Sequence, residues 1–178
     1  MPIYLDIETT SLYADIGSII VIGVLYNEEE VFFFVDSPSK EKEVLKTFIE
    51  FLNKIKNEKI YVWNSNFDIP FLLTRCLKHR LDTSIFSNIK VVDLWKFSKE
   101  KLKLSSNSLE NVSLFFDLRK NLELRGKNIL ILYEDFLEGK LDTKEKIIEH
   151  CKDDLLRLKE LHEIFKNLVE DWEKQQKF

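Results

Sequence analysis

The sequence is poor in the residues that break or staple a chain. Of its 178 residues only 4 are Gly, 3 are Pro and 2 are Cys. Scarce Gly and Pro exclude collagen-like, linker-rich and turn-dense all-β architectures. Cys76 and Cys151 are too few for a disulfide scaffold and form no CxxC metal pair, so a reduced, cytoplasmic protein is expected. No run approaches the ~18 apolar residues of a membrane helix. Asp6 and Glu8 stand where a signal peptide needs an apolar core, so no membrane partner is expected. An excess of positive charge is also missing: the net charge of −4 argues against a protein that coats nucleic acid. What is present is a folding composition, 44% hydrophobic and 33% charged. The length suits one domain of the usual ~100–200 residues, and residues 1–178 are read as a single domain.

The charge is unevenly placed. Residues 75–127 hold 12 Lys/Arg against 6 Asp/Glu, so the rest of the chain is strongly acidic. Such asymmetry suits either ordinary surface variation or a basic rim beside an acidic site that guides a polyanion. Along the chain, Pro2–Glu8 alternates like a strand, Ser18–Tyr26 and Val31–Val35 are β-branched or aromatic runs, and Asn27–Glu30 is an acidic turn between them. Ser37 before Pro38 has the form of a helix cap. Ile60–Trp63 and Ile89–Asp93 read as two further strands, and Phe67–Lys78 as a helix with Pro70 in its first turn. Beyond them the chain reads as helical: Ser108 caps a segment through Phe116, Gly139 ends a helix begun at Ile129, and Asp142 with Glu145 opens the last one. On that last helix Ile147, Ile148, Cys151, Leu155, Leu158, Leu161, Phe165, Leu168 and Trp172 form one apolar stripe. Three strands followed by helices alternating with two more strands predict an α/β domain with a mixed five-stranded sheet.

Three short segments carry chemistry. Asp6 and Glu8 point to the same face of a strand, roughly 7 Å apart. No Lys or Arg occurs in residues 1–39 to pair with them, which suits an exposed strand face or a site that needs an outside partner. Trp63-Asn64-Ser65-Asn66-Phe67-Asp68 ends a strand and places an acid at a helix start, where the helix dipole alone would favour it. His150-Cys151-Lys152-Asp153-Asp154 puts His150 and Asp154 four apart, as neighbours on one helix face at the border of the apolar stripe. Each pattern has an ordinary explanation, but together Asp6, Glu8, Asp68 and Asp154 can form one cluster. Four clustered carboxylates repel and raise one another's pKa unless cations intervene. Two divalent ions ~3.5–4 Å apart would relieve this and suit phosphodiester cleavage. Oxygen-only ligation favours Mg²⁺ or Mn²⁺ over Zn²⁺.

These segments resemble the DEDD exonuclease superfamily, which has the ribonuclease H-like fold. Tyr4-Leu5-Asp6-Ile7-Glu8-Thr9-Thr10 is similar to its first motif, and Asn64-Ser65-Asn66-Phe67-Asp68 to its second, as in family B polymerase proofreading domains. His150-Cys151-Lys152-Asp153-Asp154 is similar to the third, where the Tyr-type subgroup has Tyr-Cys-x-x-Asp. The resemblance covers most of the chain, and Asp93-Leu94 and Ser108-Leu109-Glu110-Asn111-Val112 look like features of a stand-alone branch of predicted exonucleases. There are two departures. His150 has Tyr-type spacing with a His-type side chain, and Trp63 stands where His or Tyr is more usual. The resemblance implies two Mg²⁺ or Mn²⁺ ions held by Asp6, Glu8, Asp68 and Asp154, with His150 orienting or deprotonating the attacking water. A free imidazole, titrating near ~6.5, suits such work at neutral pH better than a phenol near ~10. Thr9, Asn64 and Phe67 are candidate substrate contacts, though a core role also suits Phe67. Asp93 is an alternative site acid or a helix cap, and Asp153 an alternative ligand that points ~100° away from Asp154. His79, His162 and the two cysteines are expected to be structural. The implied activity is 3′–5′ hydrolysis of single-stranded DNA or RNA to nucleoside monophosphates. The alternatives are a structure-selective endonuclease on the same fold or a catalytically weak nucleic-acid-binding domain. Lys96, Lys99, Lys101, Lys103, Arg119, Lys120, Arg125 and Lys127 are candidates for strand guidance, and a processivity or repair partner would be a separate chain.

Overall fold

The structure, a computed structural model, describes residues 1–118 and 129–175. Five strands, β1 (Pro2–Thr9), β2 (Ile19–Tyr26), β3 (Glu29–Phe34), β4 (Lys59–Val62) and β5 (Lys90–Asp93), form one sheet in the order β3-β2-β1-β4-β5. The first three pair antiparallel, while β4 and β5 run parallel to β1. The mixed sheet read from the sequence is therefore present. The β2–β3 hairpin turns on Asn27 and Glu28, both at positive φ (52° and 63°), the handedness that matches strand twist.

Helices α1 (Glu41–Ile55) and α2 (Ser65–Lys78) cover one face of the sheet. Helices α3 (Leu94–Lys101), α4 (Leu109–Phe115), α5 (Ile129–Leu137) and α6 (Asp142–Gln175) cover the other. Both faces of β2 are buried, so its apolar run is continuous rather than alternating. Several caps follow the sequence signals. The Ser108 side chain accepts from the Asn111 N–H and the Asp93 side chain from the Lys96 N–H. Gly139, at φ 102°, closes α5: its N–H bonds the Phe136 carbonyl and that of Lys140 bonds the Asp135 carbonyl, a Schellman arrangement.

Five local readings change. Ser37 makes no side-chain cap bond; its hydroxyl meets that of Ser39 at 2.9 Å, and Pro38–Lys40 is a short 3-10 turn ahead of α1. Helix α2 begins at Ser65, because Asn64 in the left-handed region ends the strand abruptly, so Pro70 lies inside the helix rather than in its first turn. Pro70 sacrifices one helical bond, near an exposed helix start where water can reach the lost carbonyl partner. Asp142 is the first residue of α6, and its carboxylate accepts from Lys146 Nζ at 2.8 Å. On α6 Leu168 is exposed and Val169 is buried instead, since the ~3.6-residue period sets Val169 nearer the centre of the buried face formed by Cys151, Leu155, Leu158, His162 and Phe165. Finally, Arg75 is not part of a basic rim; it is buried in an ion pair with Glu41.

Candidate active site

The alternation of β1 sorts its side chains. Ile3, Leu5 and Ile7 enter the core under α1 and α2, while Tyr4 belongs to the core under α6. Asp6 and Glu8 continue the Tyr4 face toward the C-terminal end of the strand. Helix α6 runs antiparallel to β1 along this face: the Tyr4 hydroxyl lies 2.9 Å from His162 Nδ1, and Glu8 Oε1 lies 2.8 Å from His150 Nδ1. The same helix thus sets His162 against the start of β1 and His150 against its end. Gly23, paired opposite Asp6 on β2, makes the close approach possible. A Cβ there would sit 2.4 Å from Cys151 Sγ and 2.9 Å from Leu155 Cδ1, so only a hydrogen fits.

The second motif arrives from the other side of β1. Strand β4 ends at Val62, and Asn64 (φ 77°, ψ 72°) turns the chain sharply into α2. The Asp93 carboxylate pins this turn, accepting from the Asn64 N–H at 3.2 Å, the Ser65 N–H at 2.9 Å and the Ser65 hydroxyl at 2.8 Å. Asp93 also caps α3, accepting from Lys96 N–H at 3.1 Å, so both of its oxygens hold backbone. Asp68, in the first turn of α2, is buried close enough to Glu8 to feel its charge.

The electrostatics are strained toward the neutral form. Burial, then the charges of Glu8, Asp154 and Asp68, push the Asp6 carboxyl well above the ordinary carboxylate range. Burial also raises Asp68, with Asp93 and Glu8 adding to it and main-chain bonds opposing it. Asp6 Oδ2 is buried without a hydrogen-bond partner among the described residues. Donor atoms of Glu8, His150 and Asp154 all lie within 4.8 Å of one another, a grouping able to hold a metal ion. Facing carboxylates, an orphaned buried oxygen and an imidazole nitrogen together fit a divalent cation.

The structure places the other singled-out residues as follows. Thr9 sits at the register shift that ends the β1–β2 pairing and donates its hydroxyl to the Ser11 carbonyl at 2.7 Å. Asn64 is at the α2 start with no side-chain cap bond. Phe67 is partly buried in the core under α2, its ring 5.6 Å from that of Phe71. Lys96, Lys99, Lys101 and Lys103 are exposed on and just after α3, whereas Arg119, Lys120, Arg125 and Lys127 lie outside the described residues. His79 bonds Glu41 at 2.7 Å, His162 stacks on Tyr61 at 3.8 Å, and both cysteines are free and buried, as expected of structural residues.

Two contributors escape the sequence reading. The buried Arg157 guanidinium pairs with Asp154 Oδ1 through Nη2 and lies 3.2 Å from Asp153 Oδ2 through Nε. Its spacing of three and four residues from those acids on one helix was the available signal. The other is the loop from Thr10 to Ser18, which leaves β1 directly after Glu8 and Thr9 and exposes Leu12, Tyr13 and Ile16.

Known proteins place this architecture. Residues 3–166 match the family model of the RNase H superfamily. The chain is 32% identical over 169 residues to an uncharacterized protein of Methanocaldococcus jannaschii, spanning 90% of this chain and 92% of that one. The family B DNA polymerase of the hyperthermophilic archaeon Pyrobaculum calidifontis superposes with a TM-score of 0.74 at 18% identity, over 92% of this chain. The chain spans 24% of that polymerase's length, and the likeness is one of fold. Among the described residues no helix is long and apolar enough to cross a membrane. With its model matched over most of the chain, the protein belongs to the RNase H superfamily.

Proposed function

We propose that the protein is a metal-dependent 3′–5′ exonuclease of the DEDD type, with residues 1–178 acting as one domain on single-stranded DNA or RNA. The observation that carries this reading is the buried acidic cluster. Asp6 on β1 and Asp68 on α2 are both raised by burial and by neighbouring carboxylates, beside the Glu8–His150–Asp154 grouping. Two divalent cations, Mg²⁺ or Mn²⁺, held by Asp6, Glu8, Asp68 and Asp154 would supply Lewis acidity and charge neutralisation toward a phosphodiester. The chain itself supplies the geometry. Asp93 locks the turn that carries Asp68, and Gly23 lets α6 press Asp154 and His150 toward Glu8.

Substrate contacts in this reading lie around that cluster. Leu12, Tyr13 and Ile16 offer an apolar surface suited to nucleobase faces, and Thr9 and Asn64 flank the terminal nucleotide. The exposed lysines of α3 guide the strand electrostatically, so activity should fall with added salt.

The test uses 5′-labelled and 3′-labelled oligonucleotides with Mn²⁺, a circular single strand, and Asp6→Ala as control. The expected result is stepwise shortening from the 3′ end, an intact circle, and loss of at least ~10³-fold in the variant, in line with the several kcal/mol expected of metal catalysis. A wild type that cuts none of these, or an Asp6→Ala protein that cuts equally well, overturns the catalytic reading. Cleavage of the circle would make the protein an endonuclease instead.

A further inference from the structure

We propose that His150 is itself a metal ligand, its Nδ1 joining Glu8 and Asp154 Oδ2 in a mixed nitrogen–oxygen site that prefers a first-row transition ion to Mg²⁺. The inference rests on the metal-dependent reading above and departs from the water-orienting role that the Tyr-type spacing suggests.

The first argument is position. A side chain that orients a water from beyond the carboxylates should stand off from them. Instead, Nδ1 lies 2.8 Å from Glu8 Oε1 and 3.6 Å from Asp154 Oδ2, level with the carboxylates, and the side chain is only 3% exposed. The second argument is the match to a coordination sphere. Two donors each ~2.1 Å from one ion are about 3.0 Å apart at a right angle and about 3.4 Å apart at a tetrahedral angle. The observed 2.8 and 3.6 Å lie on either side of those values, and no donor of the three is more than 4.8 Å from another.

The third argument is the role of Arg157. Its guanidinium engages Asp154 Oδ1, and Oδ2 is the oxygen turned toward His150. Asp154 is therefore set to offer one oxygen rather than two, and an imidazole nitrogen makes up the lost donor. Arg157 is a positioning residue in this scheme. The chemistry then decides the ion: Mg²⁺ binds oxygen donors and accepts imidazole poorly, while the transition ions accept nitrogen and oxygen together. The oxygen-only preference expected from four carboxylates is thus altered at one of the two positions.

The experiment measures Mn²⁺ and Mg²⁺ binding to the metal-free full chain by calorimetry, together with pulsed electron paramagnetic resonance of bound Mn²⁺. The wild type should show ¹⁴N modulation from a directly bound imidazole. His150→Gln should lose it and bind Mn²⁺ at least ~10-fold more weakly, with Mg²⁺ affinity changed less than ~3-fold. If His150→Gln does not fold, wild-type protein labelled with ¹⁵N-histidine gives the same information, because the modulation must move to the ¹⁵N frequency. His79 and His162 do not confound it, being held by Glu41 and Tyr4. Mn²⁺ that binds without nitrogen modulation, or with equal affinity in His150→Gln, overturns the assignment and leaves the metal-dependent reading standing. No Mn²⁺ binding at all overturns both.

Discussion

Two buried charge clusters lie on opposite faces of the same sheet, and they are built differently. Under α1 and α2, Glu41 is 1% exposed and every charge is answered. Its Oε1 accepts from the Ile19 N–H at 2.9 Å and from Arg75 Nε at 2.8 Å, and its Oε2 pairs with Arg75 Nη2 at 2.5 Å and His79 Nε2 at 2.7 Å. Arg75 also donates to the Ala14 carbonyl at 2.9 Å, which ties down the loop leaving the site. Under α6, carboxylates face carboxylates, and Asp6 retains a buried oxygen without a partner among the described residues. Burial pushes Glu41 up as well, but bonds from Arg75, His79 and Ile19 outweigh it and hold the carboxyl below its ordinary value. Asp6 and Asp68 are instead driven upward. A buried acid completed by its own chain is a structural part; one left incomplete is a place for something from outside.

The largest effect should come from breaking the completed cluster. Arg75→Met leaves Glu41 buried beside only His79 and the Ile19 N–H, and should cost about 3–5 kcal/mol, the usual penalty for an uncompensated buried charge. Chemical denaturation measures it. The double variant Arg75→Met with Glu41→Leu should recover much of that loss, because the orphaned charge is gone. A double variant no more stable than Arg75→Met would show that packing, not charge, dominates there.

Gly23→Ala comes next and acts on the other cluster without touching an acid. The added Cβ overlaps Cys151 Sγ, so α6 must move off the sheet or a core side chain must leave its rotamer. The expected cost is ~1–3 kcal/mol, as for other overpacked sites. Because the shift moves His150 and Asp154 relative to Glu8, Mn²⁺ affinity should fall out of proportion to stability. Gly23→Ala with Cys151→Ala should restore both. An unchanged metal affinity in Gly23→Ala would mean that the helix does not set the site.

What was legible in the sequence follows the same division. Period-two alternation exposed β1, period-3.6 spacing exposed the α6 stripe, and short motifs with fixed offsets pointed to Asp6, Glu8, Asp68, His150 and Asp154. All of these are local signals. Arg75 counts as one more cation of the basic stretch and Glu41 carries no signal of its own, since nothing nearby in sequence says that residues 34 apart will meet. Gly23 lay unremarked inside an apolar strand because its constraint is a helix more than a hundred residues later. Pro70 and the α2 start were misplaced because the left-handed turn at Asn64 is held by Asp93, again a distant partner. Periodicity reports which face is buried, but pairing across the sheet is a property of the fold.

The smallest effect, and the one with the clearest sign, is Asp6→Asn. A carboxyl whose folded pKa is raised holds its proton more tightly in the folded chain than in the unfolded one. Its contribution to stability is fully present below the ordinary value of ~3.9 and is lost as pH rises through the raised value. Glu41 runs the other way: its stability is present above the ordinary carboxylate range and lost as pH falls through its lowered value. Without metal, the wild type at pH 8 therefore carries a penalty at Asp6 that the isosteric amide removes. Asp6→Asn should melt higher there by roughly 2–4 °C, about 1 kcal/mol for a chain of this size. At pH 4 the advantage should shrink, because the wild-type carboxyl is protonated. Adding Mn²⁺ at pH 8 should reverse the order, since an ion that binds only the folded site stabilises by ~2.7 kcal/mol at a hundredfold excess over its dissociation constant, and the amide lacks the anionic oxygen that attracts it. An Asp6→Asn protein less stable than wild type at pH 8 without metal would mean that the chain already satisfies this acid, and the contrast with Glu41 would collapse.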